Sequence, residues 1–578
     1  MSRAEPDRPA FEVRVGGTAL APLTAADVIE VDVHEEVGRH GRLTLLVQNW
    51  DADRRAVRHS DDGPFTPGAA ITVALGYHAE LTTVFDGVVA SLTAHFPRGG
   101  GPVLRVEGRS RSILLEHPAR SRQLADVSDA DVAAAVAADY SLGTDAADGV
   151  TRPFVVSDRI SDWDLLKRRA AELGWVTYVR ASTLVLRPPS PKQQAIELEY
   201  TRGIVELHLT QDLTRAIGAA AGVAWDLDSL EAAETEQSAS AAGLDVGDRT
   251  AHDTAAGDAG WPLRDARAES PAVVAGYDAD ARAVAAQRTA ALAHYFGSGV
   301  VPGDPALRCD GWVSIAGVGR RMSGPHYVTA ARHRLSAAGY HTEFQVGAPP
   351  PLVPPAPGGG GAGGGARGLA LGVVEALDDP ESQNRVRVRL PWRNDGGDGV
   401  WARLSNVDAG AGCGAVFVPG VGQEVLIGFV DGDPAVPVVL GSLYNGSQQP
   451  PVTVDPDTNA VRALVTPGGH ALRFTDGDDA TVKLESGQGH SVVLDDQDSA
   501  IVITHAGSGN AIRVSADGIE LTAAKGDVKL TSSAGTITLD SLKLEAKASG
   551  PAKLESSATF DVKASGSLGL KGSLVTIN

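Results

Sequence analysis

Residues 518–539 read GIELTAAKGDVKLTSSAGTITL. Ile519 and Leu521, Val528 and Leu530, and Ile537 and Leu539 form three apolar pairs, each spaced i, i+2 and stepping by nine residues. That spacing puts both side chains of a pair on one face of a strand, and the Gly, Ser and Ala between pairs supply turns. The unit extends both ways. Ile501 and Ile503, then Ile512 and Val514, precede it; Leu542 and Leu544, Phe560 and Val562, Leu568 and Leu570, and Val575 and Ile577 follow. A short period of strand signals predicts a β-solenoid or β-helix over residues 462–578.

Each of these strands offers only two or three apolar residues, and Phe560 is the single aromatic after Phe474. One copy of so narrow a sheet has little to bury that face against, and short isolated strands are marginal in water. Three copies wound about one axis bury the pairs centrally and close the sheet edges. The homotrimer core predicted in this way is Ile501, Ile503, Ile512, Val514, Ile519, Leu521, Val528, Leu530, Ile537, Leu539, Leu568, Leu570, Val575 and Ile577. Arg513, Glu520, Lys529, Thr538, Lys543 and Asp561 then face water. A single-chain right-handed β-helix or a β-sandwich satisfies the same pattern.

The rest of the chain narrows the reading. At 578 residues it holds several domains. Aromatics are 5% against 67 glycines, which fits lean strands and many turns. The formal charge of −21 is spread along the chain; it argues against nucleic acid as a main partner and for solubility. Cys309 and Cys413 are far apart, so no disulfide framework or cysteine metal site is available. The first residues, MSRAEPDRPAFEVRV, contain no apolar core of a signal peptide, and no run of 18 apolar residues occurs. The expectation is cytoplasmic assembly.

From Phe11 onward, FEVRV, VIEVDVHEEV, RLTLLVQN, AAITVALGY, TTVFDGVVASLTAHF and PVLRVEGRS alternate as strands between Gly- and Pro-rich turns, predicting a small antiparallel barrel or sandwich. Two helices follow. Ser128 caps the first, with acids in its first turn; Ser161 opens the second and Gly174 stops it, with Leu165, Leu166, Ala170 and Leu173 on one face. The stretch from Trp225 to Thr250 has few large apolar residues and reads as an exposed insertion or flexible loop, whereas Ala281 to Phe296 reads as helix. His326, His333 and His341 read as polar strand residues; His341 and Glu343 share a face but are too few for a metal site.

The run SDWDLLKRRAAELGWVTYVRASTLVLRPP, Ser161 to Pro189, resembles the hub domain of the phage late-control D family, which includes VgrG proteins and the spikes of extracellular contractile injection systems. GVGRRMSGPHYVTAARHRLSAAGYHTEFQVG, Gly317 to Gly347, resembles the strand pair closing that family's second hub barrel. The resemblance implies a tail hub of two β-barrels over residues 1–347, forming a pseudo-sixfold ring in a trimer. The Pro- and Gly-rich stretch 348–368 then reads as a linker.

Residues 369–446 pack five or six short strands into a compact all-β stretch, as an OB-fold does. Pro391, Trp392, Trp401, Pro419, Gly422, Glu424, Gly432, Asp433, Pro434 and Gly441 stand in segments that closely resemble the OB spike domain of the same family. OB folds often bind nucleic acid through basic grooves and stacking aromatics. Here Arg385, Arg387 and Arg389 alternate with Val386, Val388 and Leu390, as on the solvated face of a strand, amid acidic residues. Only the short linker 447–461 separates this barrel from the needle, too little for a catalytic domain; no GxSxG, HExxH or P-loop occurs, and His470, His490 and His505 read as isolated.

The expectation is a mainly β, multi-domain, non-enzymatic protein: tail-hub β-barrels, an OB-fold barrel and a C-terminal trimeric β-helix, with no cofactor and no metal. The resemblance implies a central hub and spike of a contractile, phage-tail-like injection system. A type VI secretion VgrG is the alternative subtype, and a glycan-binding or envelope-degrading tail spike the alternative class. The partners implied are the inner tube and baseplate, a PAAR-type tip protein at the C-terminal end, cargo effectors and, transiently, a target membrane, with no nucleic acid.

Overall fold

The computed structural model describes residues 8–61, 63–116, 120–192, 194–226, 231–238, 243–250, 253–255, 260–269, 279–348, 368–390, 399–432 and 434–577. The chain forms two compact units, Met1–Gln449 and Pro450–Asn578. Most of the predicted linker 348–368 lies outside the described residues.

The first unit is built on one thirteen-stranded sheet. Its path runs Glu206–Gln211, Tyr295–Pro302, Gly339–Val346, Gly324–Ser336, Val28–Glu36, Arg42–Gln48, Val103–Ser110, Glu80–His95, Ala70–Tyr77, Pro9–Val15 and Thr18–Ala19. Gly311–Ala316 pairs with Gly324–Ser336, and Ile196–Glu199 adds to it in parallel. The region expected to form two β-barrels is thus built on one continuous sheet that serves two cores. The joint is the long strand Gly324–Ser336, which pairs with Val28–Glu36 across some three hundred residues of chain, Ala331 opposite Glu35 and Leu335 opposite Val31. Alternation along each strand fills two separate cores. One gathers Val31, Val33, Leu43, Leu45, Ile71, Val73, Phe85 and Val106; the other gathers Val301, Val313, Ile315, Val328, Phe344 and Val346.

The helices follow their caps. Ser128 opens Asp129–Asp139 with a reciprocal capping box: its Oγ accepts from the Asp131 N–H, and the Asp131 carboxylate accepts from the Ser128 N–H. Asp162–Leu173 ends on Gly174 at φ 61°, a left-handed turn that costs glycine nothing. Its face of Leu165, Leu166, Ala170 and Leu173 is buried.

The stretch expected as an exposed insertion is ordered in part. Glu231–Ser238 is a strand, antiparallel to Ile217–Asp226, which also pairs in parallel with Arg264–Glu269. The helix Ala279–His294 packs on this sheet, so close that a Cβ on Gly222 would lie 2.0 Å from the Ala279 carbonyl oxygen. Small side chains serve there because helix and sheet backbones nearly touch, and the usual apolar alternation is lost.

Residues 370–442 close into a five-stranded barrel: Ala370–Ala376, Val386–Arg389, Val400–Leu404, Pro437–Ser442 and Glu424–Phe429, with Val400–Leu404 and Pro437–Ser442 parallel to each other. Val374, Val386, Val388, Leu390, Ala402, Val425, Ile427 and Val439 fill it. This is OB topology.

The second unit opens with seven strands in an antiparallel meander: Val461–Val465, Ala471–Thr475, Thr481–Glu485, Ser491–Asp495, Ala500–Thr504, Ala511–Ser515 and Gly518–Thr522. Each pairs with its sequence neighbour, so within one chain this is a single-layer sheet rather than a solenoid coil. Past Thr522 the described residues contain no strand, and they are exposed throughout. The strands expected at Val528–Leu530, Ile537–Leu539, Leu568–Leu570 and Val575–Ile577 have no hydrogen-bonded partner of their own chain among the described residues.

Candidate interaction surface

Registered pairs in an antiparallel sheet share a face, so the meander's register reads out each face as columns. One column runs Leu464, Leu472, Leu484, Val492, Ile503, Ile512 and Leu521 across all seven strands. Its neighbour runs Arg462, Phe474, Val482, Leu494, Ile501, Val514 and Ile519. Between them, on the opposite face, lie Ala463, Arg473, Lys483, Val493, Val502, Arg513 and Glu520. One face is thus apolar across thirteen of fourteen positions, and the other is mixed and charged. Arg513 and Glu520, expected to face water, stand directly opposite one another on the charged face.

Among the described residues of this unit none covers the apolar face. Every one of the fourteen predicted core residues is exposed, from Val514 at 38% to Ile577 at 82%. Burying one such side chain contributes about 1.5–3 kcal/mol. A bare apolar sheet this long marks an interface, since monomeric proteins rarely expose large contiguous apolar patches. The sheet spans about 29 Å at a strand spacing of about 4.8 Å and is about 16 Å wide.

The OB residues hold turns and ends. Trp401 lies opposite Arg387, with the Arg385 and Arg387 guanidinium groups each 5.9 Å from its ring. Arg385 also donates to Asp379 at 2.7 Å, which, despite some desolvation, holds that carboxyl well below the usual range together with backbone N–H bonds. Two of the strand's three arginines are thus tied to nearby acids, Arg389 with Glu375 at 2.8 Å, while Arg387 lies by the Trp401 ring. Gly422, at φ 84°, donates to the Val374 carbonyl at 2.8 Å. Glu424 accepts from the Asn445 amide at 2.8 Å. Pro419 and Pro434 are buried, Gly432 takes a positive φ of 75° and Gly441 is exposed in the last strand. Pro391, Trp392 and Asp433 lie outside the described residues.

Two buried carboxylates of the first unit are held by several donors each. Asp310 accepts from Tyr327 at 2.7 Å, Tyr178 at 2.9 Å and the Ser190 N–H at 2.8 Å. Fully buried Asp129 accepts from Arg169 at 2.9 Å and Arg152 at 3.2 Å. His326 and His333, expected as polar strand residues, stand in the strand Gly324–Ser336 and are buried there. Burial, aided by the Arg308 charge, pushes His333 down to about 3, and the Tyr340 hydroxyl lies 3.0 Å from its Nδ1. Burial pushes the Cys309 thiol up to about 12. A polar concavity of about 500 Å³ on the sheet's outer face includes Asp32, Arg42, Arg332 and Glu343, but Arg332 is held by Asp32 at 2.6 Å. No group of three or more metal-ligating side chains occurs among the described residues. His490 and His505, read as isolated in sequence, stack with ring centroids 4.3 Å apart. The meander brings neighbouring turns together, which a spacing of fifteen residues does not announce.

The described residues thus combine a thirteen-stranded sheet, a barrel of OB topology and a seven-stranded sheet with one bare apolar face. Residues 5–337, more than half of the chain, match the family model described as the Alg8 N-terminal domain, and the chain belongs to that family. Residues 370–444 match the type VI secretion system/phage-baseplate injector OB domain, and residues 481–545 match the phage baseplate V C-terminal trimerisation domain. The type VI secretion system spike protein VgrG4b of Pseudomonas aeruginosa is 36% identical over 101 residues, 16% of this chain and 12% of that protein. VgrG2a of the same organism is 38% identical over 71 residues, 12% of this chain and 8% of that protein. The alignments thus span a small part of these relatives. In the lidded Francisella PdpA–VgrG complex, a chain shares the fold at TM-score 0.52 and 8% identity, over 89% of this chain and 80% of that one.

Proposed function

We propose that three copies of this chain form the central hub and spike of a contractile, phage-tail-like injection machine. Residues 1–347 serve as the hub that meets the inner tube and baseplate, 369–446 as an OB collar, and 462–578 as the needle. The role is mechanical: the needle passes driving force from the tube to a target membrane. The observation that carries this reading is the seven-strand apolar column left exposed on one face. Three such faces turned toward one axis bury each other, and residues 523–577 then find strand partners in the other two copies. The match to a trimerisation domain falls on this same segment.

A non-enzymatic role is part of the proposal. It is supported by the pairing of the hub's buried carboxylates with arginines and tyrosines, which leaves them structural. A PAAR-type protein at the C-terminal tip and an extracellular contractile system rather than a type VI apparatus are the finer parts of the reading. Cytoplasmic assembly before incorporation into a particle also belongs to it. Electron microscopy of particles assembled with and without this chain tests it. With the chain, threefold density stands at the tube's tip; intact, loaded particles lacking any change at the tip would contradict it.

A further inference from the structure

The two lateral edges of the needle sheet differ in chemistry. Along one edge the turns 466–470, 486–490 and 505–510 are closed by Thr466 N–H to the His470 carbonyl, Ser486 N–H to His490 and His505 N–H to Asn510, at 2.8–3.0 Å. The residue ending each turn then reaches the next turn along the edge. His470 Nδ1 accepts from the Gly487 N–H at 3.3 Å, His490 Nδ1 from the Ala506 N–H at 3.3 Å, and Asn510 Oδ1 from the Lys525 N–H at 3.0 Å. His505 Nδ1 accepts from the Ser508 N–H at 3.2 Å. A neutral imidazole that accepts at Nδ1 carries its proton on Nε2. The edge thus presents a row of Nε2–H donors, none with a partner among the described residues.

The other edge carries the turns 475–480, 495–500 and 515–518, with Asp476, Asp478, Asp479, Asp495, Asp496, Asp498 and Asp517. Asp476 meets Arg462 at 2.5 Å and Asp498 meets Arg513 at 3.4 Å, but each carboxylate has room for further donors. Acidic turns and imidazole turns fall at alternate strand boundaries, so the two edges are offset by one strand, about 4.8 Å.

A cyclic trimer is closed by heterologous contacts: one edge of each copy meets the opposite edge of the next. We propose that each corner of the spike is formed by the aspartate edge of one copy interdigitating with the imidazole edge of its neighbour, Nε2–H groups donating to carboxylates. Meeting like with like would set seven carboxylates of one copy against seven of another. This inference rests on the trimer reading above and adds the order in which the edges meet.

Cysteine pairs test it in the full-length protein carrying Cys413→Ser. Gln488 stands at the tip of an imidazole turn; Asp478 and Gln497 stand in the acidic turns one strand below and above it. Within one copy they lie at opposite ends of a strand about 16 Å long, beyond the reach of a disulfide, whose Cα atoms stand within about 7 Å. Mild oxidation of Gln488→Cys/Gln497→Cys or Gln488→Cys/Asp478→Cys is expected to give covalent trimers on a denaturing gel, with no cross-link in any single variant. Cross-linking by a single variant, or by neither pair while the native mass stays at three chains, overturns the edge order. A monomeric native mass of the Cys413→Ser parent overturns the trimer reading itself.

Discussion

Ile503 stands directly opposite Ile512 on adjacent strands of the needle sheet, and both side chains face outward, 45% and 38% exposed. Two β-branched residues in register, with the same pairing continued over seven strands, form a surface shaped to meet another apolar sheet. Replacing Ile503 or Ile512 with Asp puts three carboxylates at the centre of a trimer, where an unpaired buried charge costs several kcal/mol. The expected outcome is loss of the trimer in analytical ultracentrifugation, with unchanged near-ultraviolet dichroism from the hub. Because both residues are solvent-exposed in the single chain, a merely local role predicts a change within about 0.5 kcal/mol.

The buried hub histidine gives a pH dependence of definite sign. His333 has a folded pKa of about 3, depressed from an ordinary 6.5 chiefly by burial and then by Arg308. Its neutral form is favoured in the fold, so its contribution is fully present above about pH 6.5 and is lost as pH falls toward 3. The slope is on the order of 1 kcal/mol per pH unit. His34, His294 and His326, also lowered by burial, act in the same direction. Urea unfolding of the wild type and His333→Gln at pH 7, 6, 5 and 4 checks this. The wild type should lose stability on acidification more steeply than the variant; parallel curves would contradict it.

Asp129 is the anchor of a buried cluster: Arg152 and Arg169 both close on it, and it accepts from the Val150 N–H at 3.1 Å. Asp129→Ala removes the buried carboxylate that both guanidinium groups share, leaving Glu172 to Arg169 and the Val150 carbonyl to Arg152, and is expected to cost about 3 kcal/mol, because half of a buried ion pair is lost. The urea midpoint of the isolated unit 1–449 reports it.

Gly222 lies against the first residue of the helix Ala279–His294. Gly222→Val forces that helix off its sheet and is expected to lower the hub's thermal midpoint by several degrees, whereas Gly441→Val, with open space around its Cα, should leave it near wild type.

Legibility in the sequence followed the range of the interaction. Ser128, Ser161 and Gly174 act within four residues, and each does what its type and position announced. Val386, Val388 and Leu390 alternate with arginines, and the barrel buries the valines and the leucine, all at 4% exposure or less. The apolar pairs around Ile503 and Ile519 were readable as strand faces for the same reason. What was hidden depends on distant chain. The pairing of Leu335 with Val31 joins segments some three hundred residues apart. The strand Glu231–Ser238 carries no apolar rhythm, because its sheet is held by close backbone approach to a helix. His490 and His505 meet only because successive hairpins stack their turns.

The most direct measurement is the native mass of the full-length protein beside a truncation ending at Gln449, the limit of the first compact unit. A needle-bound trimer has a full-length mass of three times 59.6 kDa and loses trimer stability markedly in the truncation. A full-length chain that stays monomeric at 59.6 kDa, with its apolar needle face in water, would contradict it.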